Sequence, residues 1–378
     1  MPGLRPDVDP DGLLEYSVVY TDRSLNHMSQ RFQQVMREVS ATLKEVYGAR
    51  SAIVVPGSGS TGMEAVARQF AAGQACLIVR NGWFSYRWTQ ILEMSGIAPD
   101  PVVMKARRAE PGPTSPFAPA PIADVVAAIR ETKPALVFAP HVETSAGLIL
   151  PDAYLKALAD AVHEHGGLLV LDCIASGAAW VDMHATGVDV LLSAPQKGWS
   201  STPCAGLVML SETARARIDT TTSSSFSLDL KKWLSIMETY EGGSHAYHAT
   251  LPTDGLVHLR DAMNELRAFG FAAAKDAQLT LGRRVRAMLA ERRIASVAAA
   301  GFEAPGVVVS YTDRADWQNT AAFRALGLQV AAGVPLACDE GPDFKTFRVG
   351  LFGIDKWQHL DRTVARLTEA VDQARDGR

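Results

Sequence analysis

The sequence is short of the features that mark several protein classes. Its 378 residues hold four cysteines, Cys76, Cys173, Cys204 and Cys338, with no CxxC pair and no clustering with histidines. That scatter argues against a disulfide framework and a zinc site, and predicts reduced thiols in a cytoplasmic protein with no bound metal. No apolar run is long enough to span a bilayer. Met1-Pro2-Gly3-Leu4-Arg5-Pro6 lacks the apolar core of a signal peptide, and Asp376-Gly377-Arg378 is not a known address tag. A basic excess is missing too. The formal net charge is −4, which argues against nucleic acid or an anionic membrane as partner. Internal repeats and low-complexity tracts are absent, and the proline-rich stretch 111–121 reads as a surface connection.

What is present suits a soluble globular chain. Hydrophobic residues make up 47% and charged residues 21%, and the length allows one large domain with a smaller companion. Short apolar runs occur at residues 51–56, 75–80, 101–106, 135–140, 168–173, 189–194 and 205–210. Most are continuously apolar, the pattern of strands covered by helices on both faces. Helical patterns lie between several of them, at 62–72, 83–94, 122–131 and 152–165, the last with Asp152 as its N-cap. These elements predict an α/β fold around a mainly parallel seven-stranded sheet. The last three strands are joined by short connections, so part of the sheet is expected to be antiparallel. Residues 211–255 are polar and read as loop and short helix. Helical patterns at 255–266 and 276–292, strands at 306–311 and 345–350 and a closing helix at 356–373 then describe a small α+β domain. The expected division is an N-terminal arm and large domain over 1–255, and a small domain over 256–378.

The chemistry concentrates at strand ends. Ser193-Ala194-Pro195-Gln196-Lys197-Gly198-Trp199 places a lysine just past a buried strand, although lysine is costly to bury. Such a site suits an amine nucleophile, because desolvation favours the free base that forms an imine. Taken alone, a surface loop lysine is the better explanation. About 25 residues earlier, Asp172 ends another apolar strand, where a carboxylate could pair with the pyridine nitrogen of pyridoxal 5′-phosphate (PLP) and keep the ring electron-poor. An aspartate and a lysine at the ends of two strands of an open sheet often face one crevice. Directly after the first strand, Pro56-Gly57-Ser58-Gly59-Ser60-Thr61-Gly62 offers glycines, hydroxyls and a helix N-terminus to an anion. This stretch also fits GxGxxG, a dinucleotide fingerprint. That reading expects an acid at the end of the next strand, and the strand ends instead in Val79-Arg80-Asn81.

Taken in order, the cup, Asn81-Gly82-Trp83-Phe84, His141-Val142-Glu143-Thr144-Ser145-Ala146-Gly147, Asp172, Gln196-Lys197, Tyr247-His248-Ala249-Thr250 and Arg348-Val349-Gly350 resemble the class V aminotransferases. Within them the set is most similar to the alanine–glyoxylate/serine–pyruvate aminotransferase family, over roughly residues 24–353. The resemblance implies a PLP-dependent transferase of fold type I working by a ping-pong mechanism on a small amino acid and a 2-oxo acid. It implies Lys197 as the Schiff-base lysine and Asp172 as partner of the pyridine nitrogen. Phe84, or its neighbour Trp83, would lie over the ring. Thr144 would bind the phenolic oxygen and Ile174 would line the cofactor. Ser58, Gly59, Ser60, Thr61 and Gln196 would hold its phosphate. Tyr247 and Thr250 match a segment that reaches the neighbouring subunit, implying a homodimer with shared active sites. Arg348 matches the arginine that grips the substrate carboxylate, for which a guanidinium is suited. The segment 225–233 is read as structural.

The N-terminal segment departs from the family. Its usual Pro-Gly-Pro stretch is replaced by Tyr16-Ser17-Val18-Val19-Tyr20-Thr21-Asp22-Arg23-Ser24. Its Gly-His-Arg-Ser appears as Asn26-His27-Met28-Ser29, which makes Asn26 a candidate substrate contact and leaves the substrate open. Cys338, ten positions before Arg348, raises an alternative within PLP chemistry, a cysteine desulfurase or other lyase. The adjacent Asp339 and Glu340 are expected to raise that thiol's pKa and lower its reactivity.

Overall fold

The computed structural model describes residues 7–98 and 100–376. The readings placed on residues 1–6 and 377–378 lie outside them. All seven apolar runs form strands: β1 (Ser51–Pro56), β2 (Cys76–Arg80), β3 (Val102–Lys105), β4 (Leu136–Pro140), β5 (Leu168–Asp172), β6 (Val190–Ser193) and β7 (Ala205–Leu210). They make one sheet in the order β1-β7-β6-β5-β4-β2-β3. Strands β4, β5 and β6 pair in parallel, as does β2 with β3 and β4. Strand β7 runs antiparallel to both β1 and β6. Residues 194–204 between β6 and β7 contain no helix, so the chain turns back beside β6 instead of crossing over the sheet. In consequence the C-terminal ends of β1, β2, β4, β5 and β6 open on one edge. Open α/β sheets bind ligands at that edge.

Local chemistry fixes what sits there. Helix α1 (Gln30–Tyr47) precedes the sheet, and α2 (Gly59–Phe70) follows β1. Helix α2 starts three residues earlier than the pattern suggested because Ser58 caps it. Ser58 Oγ accepts from Thr61 N–H at 3.3 Å and Thr61 Oγ1 accepts from Ser58 N–H at 3.1 Å, a reciprocal capping box. Gly59, Ser60 and Thr61 therefore form the first turn of a helix. That helix lies close on β7, since a Cβ added at Gly206 would fall 2.8 Å from Gly62 Cα. Helix α3 (Trp83–Met94) follows β2.

Three expectations are corrected. Asp152 is the first residue of its helix and Pro151 precedes it as the cap, with no side-chain capping bond. The Asp152 carboxylate acts there through the helix dipole. The polar stretch 211–255 holds two helices, Glu212–Asp219 and Leu230–Glu241, the second burying Trp233, Met237 and Tyr240. The closing helix is two, Ile354–Gln358 and Leu360–Asp376.

Beyond the large sheet, helices Thr253–Phe269 and Phe271–Glu291 meet at Gly270, whose φ of 96° breaks the helical path. They lead to a small antiparallel sheet of β8 (Val307–Tyr311), β9 (Ala331–Ala332) and β10 (Thr346–Gly350), ordered β8-β10-β9. Among the described residues no helix is long and apolar enough to cross a membrane.

Candidate active site

The structure brings Lys197, Asp172, Phe84, Ile174, Arg348 and the residue 58–61 cup to the open edge of the large sheet. Asp172 ends β5 and is paired with Leu192 of β6. Lys197 lies in the turn that follows β6, closed by Ser200 N–H to Lys197 O at 3.1 Å and Ser201 N–H to Pro195 O at 3.0 Å. Gly198 lets this turn close onto the loop after Asp172, since a Cβ there would lie 2.2 Å from Gly177 O. Among the described residues Lys197 Nζ makes no hydrogen bond or ion pair, and it faces the Phe352 ring at 5.4 Å. Burial lowers its pKa. Asp172 opposes that shift, while the Arg348 and Arg87 charges add to it.

Asp172 is buried, and its Oδ1 accepts from Ile174 N–H at 2.9 Å, while among the described residues Oδ2 accepts no hydrogen bond. Desolvation pushes its pKa up to about 6, helped by Glu143 and opposed by the backbone bond, Arg87 and Lys197. A cation set against Oδ2 would hold it as the carboxylate. Ile174 connects this acid to the cup, because a Cβ at Gly59 would fall 2.6 Å from Ile174 Cδ1. Any larger residue at position 59 would push Ile174 aside.

Helix α3 supplies the aromatic wall. Two guanidinium groups stand over the Phe84 ring, Arg87 at 5.4 Å and Arg348 at 5.7 Å, whereas Trp83 turns toward Tyr86 with ring centroids 5.6 Å apart. Arg348, in the middle of β10, is oriented by its Nε donating to Ala332 O at 2.8 Å, and burial lowers its pKa. Glu143 fixes the start of α3. Its carboxylate accepts from Phe84 N–H at 3.3 Å, Ser85 N–H at 2.8 Å, Ser85 Oγ at 2.7 Å, Ser145 N–H at 3.0 Å and Ser145 Oγ at 2.7 Å. Thr144 is buried beside it. His141, also buried, donates its N–H to Asp172 O and has Nδ1 at 2.7 Å from Ser176 Oγ, and burial pushes its pKa down to about 3.

Other candidates lie elsewhere. Gln196 is exposed in the lysine turn with no bond to the cup. Asn26, Tyr247 and Thr250 belong to a second cluster. The Asn26 amide donates to Glu15 at 2.7 Å and Ser17 at 3.2 Å, and its oxygen accepts from Met28 N–H, so it anchors the N-terminal arm. Tyr247 lies 5.4 Å from the His27 ring, with its hydroxyl 3.2 Å from Thr250 Oγ1. No hydrogen bond, ion pair or ring contact among the described residues joins this cluster to Lys197. Cys338 is buried, with Sγ 3.4 Å from Arg80 O, and burial above all pushes its thiol up to about 12. A thiol held so far from ionisation is a poor nucleophile.

Sequence reasoning missed Arg87, Phe352 and the anchoring role of Glu143. Arg87 was foreseeable, since it is one helical turn past Phe84 and so shares its face. Phe352 lies beyond its strand, and nothing in the local pattern aims it at Lys197.

The fold is that of the PLP-dependent transferases. A solved alanine–glyoxylate aminotransferase from Nostoc sp. superposes with a TM-score of 0.77 at 24% identity, covering 92% of this chain and 88% of that one. The family model for class V aminotransferases matches residues 13–335, and the chain belongs to that family of PLP-dependent enzymes. It is 26% identical over 360 residues to the alanine–glyoxylate aminotransferase of Oryctolagus cuniculus, covering 92% of this chain and 86% of the relative. It is 29% identical over 343 residues to 2-aminoethylphosphonate–pyruvate transaminase 2 of Paraburkholderia xenovorans, covering 88% and 86%. The site fits the cofactor on its own terms: an amine and a carboxylate oxygen without partners among the described residues, beside a glycine-bearing turn at a helix N-terminus.

Proposed function

We propose that this aminotransferase moves an amino group from a small amino acid, alanine or serine, to a 2-oxo acid such as glyoxylate or pyruvate. The observation that carries this is the placement of one guanidinium, Arg348, across the Phe84 ring within electrostatic reach of Lys197. Bound PLP supplies an electron sink for the carbon that loses its proton. Lys197, Asp172, Phe84, Thr144, Ile174 and the residue 58–61 cup would hold it, with Gln196 at the rim. Arg348 would bind the α-carboxylate of donor and acceptor in turn. A single such grip requires the first product to leave before the second substrate enters, which is ping-pong order. Lys197 Nζ, its pKa lowered, would take the proton from the substrate Cα and return it across the cofactor. The choice of alanine and glyoxylate is supported by the names of the relatives that align over most of the chain.

The working unit is proposed to be a cytoplasmic homodimer, with residues 1–255 as arm and large domain and 256–378 as small domain. Leu13, Tyr16, Val18, Phe226 and Tyr247 are exposed, from 53% for Tyr247 to fully for Val18. Leu13, Tyr16 and Val18 fall within six residues of the arm, and contiguous exposed apolar surface marks contact sites; a second copy would bring Tyr247 and Thr250 to the neighbouring cup. Sedimentation of the purified protein should give twice the chain mass, and a monomer that is fully active would overturn this. The substrate reading is tested by mixing yellow holoenzyme with single amino acids and following its visible band. Alanine or serine should bleach it, and glyoxylate or pyruvate should restore it. No response to either donor, with a response to another amine, would refute the substrate assignment.

A further inference from the structure

Arg87 stands on α3 one turn past Phe84, and its Nη1 donates to Ser60 Oγ at 2.8 Å. Ser60 lies in the first turn of α2, so the contact ties one helix to the cup formed by another. Many arginines of this chain have carboxylate partners, among them Arg68, Arg107, Arg215 and Arg260. Arg87 has none within ion-pair distance among the described residues. It is nonetheless close enough for its charge to act on Asp172 and Lys197. A half-buried guanidinium is thus held beside the cup with no anion to answer it.

The cup itself offers only neutral donors: the N–H groups at the start of α2 and the hydroxyls of Ser58, Ser60 and Thr61. A phosphate monoester carries roughly −1.5 to −2 charge at neutral pH, and Asp172 adds an acid nearby. Neutral donors orient such a group, but a cation must balance it. We propose that Arg87 is that countercharge, a cofactor-binding residue that clamps the PLP phosphate into the cup from α3. The proposal rests on the PLP assignment. It also gives α3 two tasks on one face, Phe84 for the ring and Arg87 for the phosphate. With its charge answered by phosphate, Arg87 would press less on Lys197 than it does alone.

Full-length protein freed of cofactor should be titrated with PLP and with pyridoxal, which lacks only the phosphate, following tryptophan emission. Arg87→Met should weaken PLP binding by roughly 10- to 100-fold, the worth of a charge-assisted bond. Its pyridoxal affinity should stay within about threefold, a few tenths of that free energy. Arg87→Lys should recover much of the PLP affinity by restoring the charge. Inorganic phosphate should compete with PLP in the wild type and lose most of that effect in Arg87→Met. An equal loss for PLP and pyridoxal would overturn the proposal in favour of a structural role through Phe84. Unchanged PLP affinity would overturn it by freeing Arg87 for substrate. A wild-type protein that takes up neither compound would refute the PLP assignment itself.

Discussion

Replacing Lys197 with alanine is expected to give a folded protein that has lost its visible absorbance band and its turnover. The proton-transfer role alone accounts for a loss of roughly 10²- to 10⁴-fold, and the nucleophilic role adds to it. The same change should stabilise the cofactor-free protein. Burial lowers the Lys197 pKa, so the folded state binds the proton less tightly than the unfolded chain. By linkage this penalty is fully present at low pH and is relieved as pH rises through the folded pKa toward the unfolded value. Alanine removes it at every pH. Asp172 carries the converse burden: raised to about 6, it contributes stability below its unfolded pKa near 3.8 that is lost as pH rises through 6. Both groups are held against their preference by the fold, as expected of a site built for chemistry. Thermal melts of cofactor-free wild type and Lys197→Ala should therefore separate most below neutral pH, with the variant higher. A variant that melts lower at acid pH, or that still turns over, would refute this account.

The legible parts of the molecule were those set by local periodicity. The seven strands of the large sheet read as apolar runs, most of them continuous, and each appeared within a residue or so of its expected span. The antiparallel β7 was readable from the short connection before it. Asp172 and Lys197 could be expected to share a crevice because each follows the end of a strand in an open sheet, and the two strands prove to be neighbours, with Leu192 paired to Asp172. Less legible were relations that need the packed structure. Helix Leu230–Glu241 was hidden by the polar stretch before it, although its own Trp233 and Tyr240 are buried. Asp152 has the chemistry of an N-cap, but Pro151 already fixes the backbone there. The choice between Trp83 and Phe84 turned on side-chain direction. Phe84 faces the two guanidinium groups and Trp83 does not. Asn26 looked like a pocket residue because of its place in a motif, yet its amide is engaged by Glu15, Ser17 and Met28. Sequence order indicates which residues belong to a site, whereas their orientation is decided by partners distant in the chain.

Glu143→Ala should be the most destabilising single change near the site, by about 3–5 kcal/mol, the range for breaking a buried charged network. The carboxylate is fully buried and accepts five hydrogen bonds from Phe84, Ser85 and Ser145. Ser85 Oγ can still donate to Gly82 O at 3.0 Å. Alanine nonetheless leaves the N–H groups of Phe84, Ser85 and Ser145 without acceptors in a place water reaches poorly, and each unsatisfied donor carries its own desolvation penalty. Glutamine should not rescue the fold. Oε1 faces the Phe84 and Ser145 N–H groups and Oε2 faces the Ser85 N–H, so an amide would point its NH₂ at donors in either orientation. The approach is equally unforgiving on the other side, since a Cβ at Gly82 would lie 2.0 Å from Ser145 Oγ and 2.8 Å from the Glu143 carboxyl carbon. Because Phe84 and Arg87 both ride on the first turns of this helix, loosening its start should weaken PLP and pyridoxal binding alike, unlike the phosphate-selective loss expected for Arg87→Met. Chemical denaturation of Glu143→Ala and Glu143→Gln, with both cofactors titrated beside it, separates the cases. A variant as stable as the wild type would remove Glu143 as the anchor of α3, and retained pyridoxal binding would show that the helix start holds its position by packing alone.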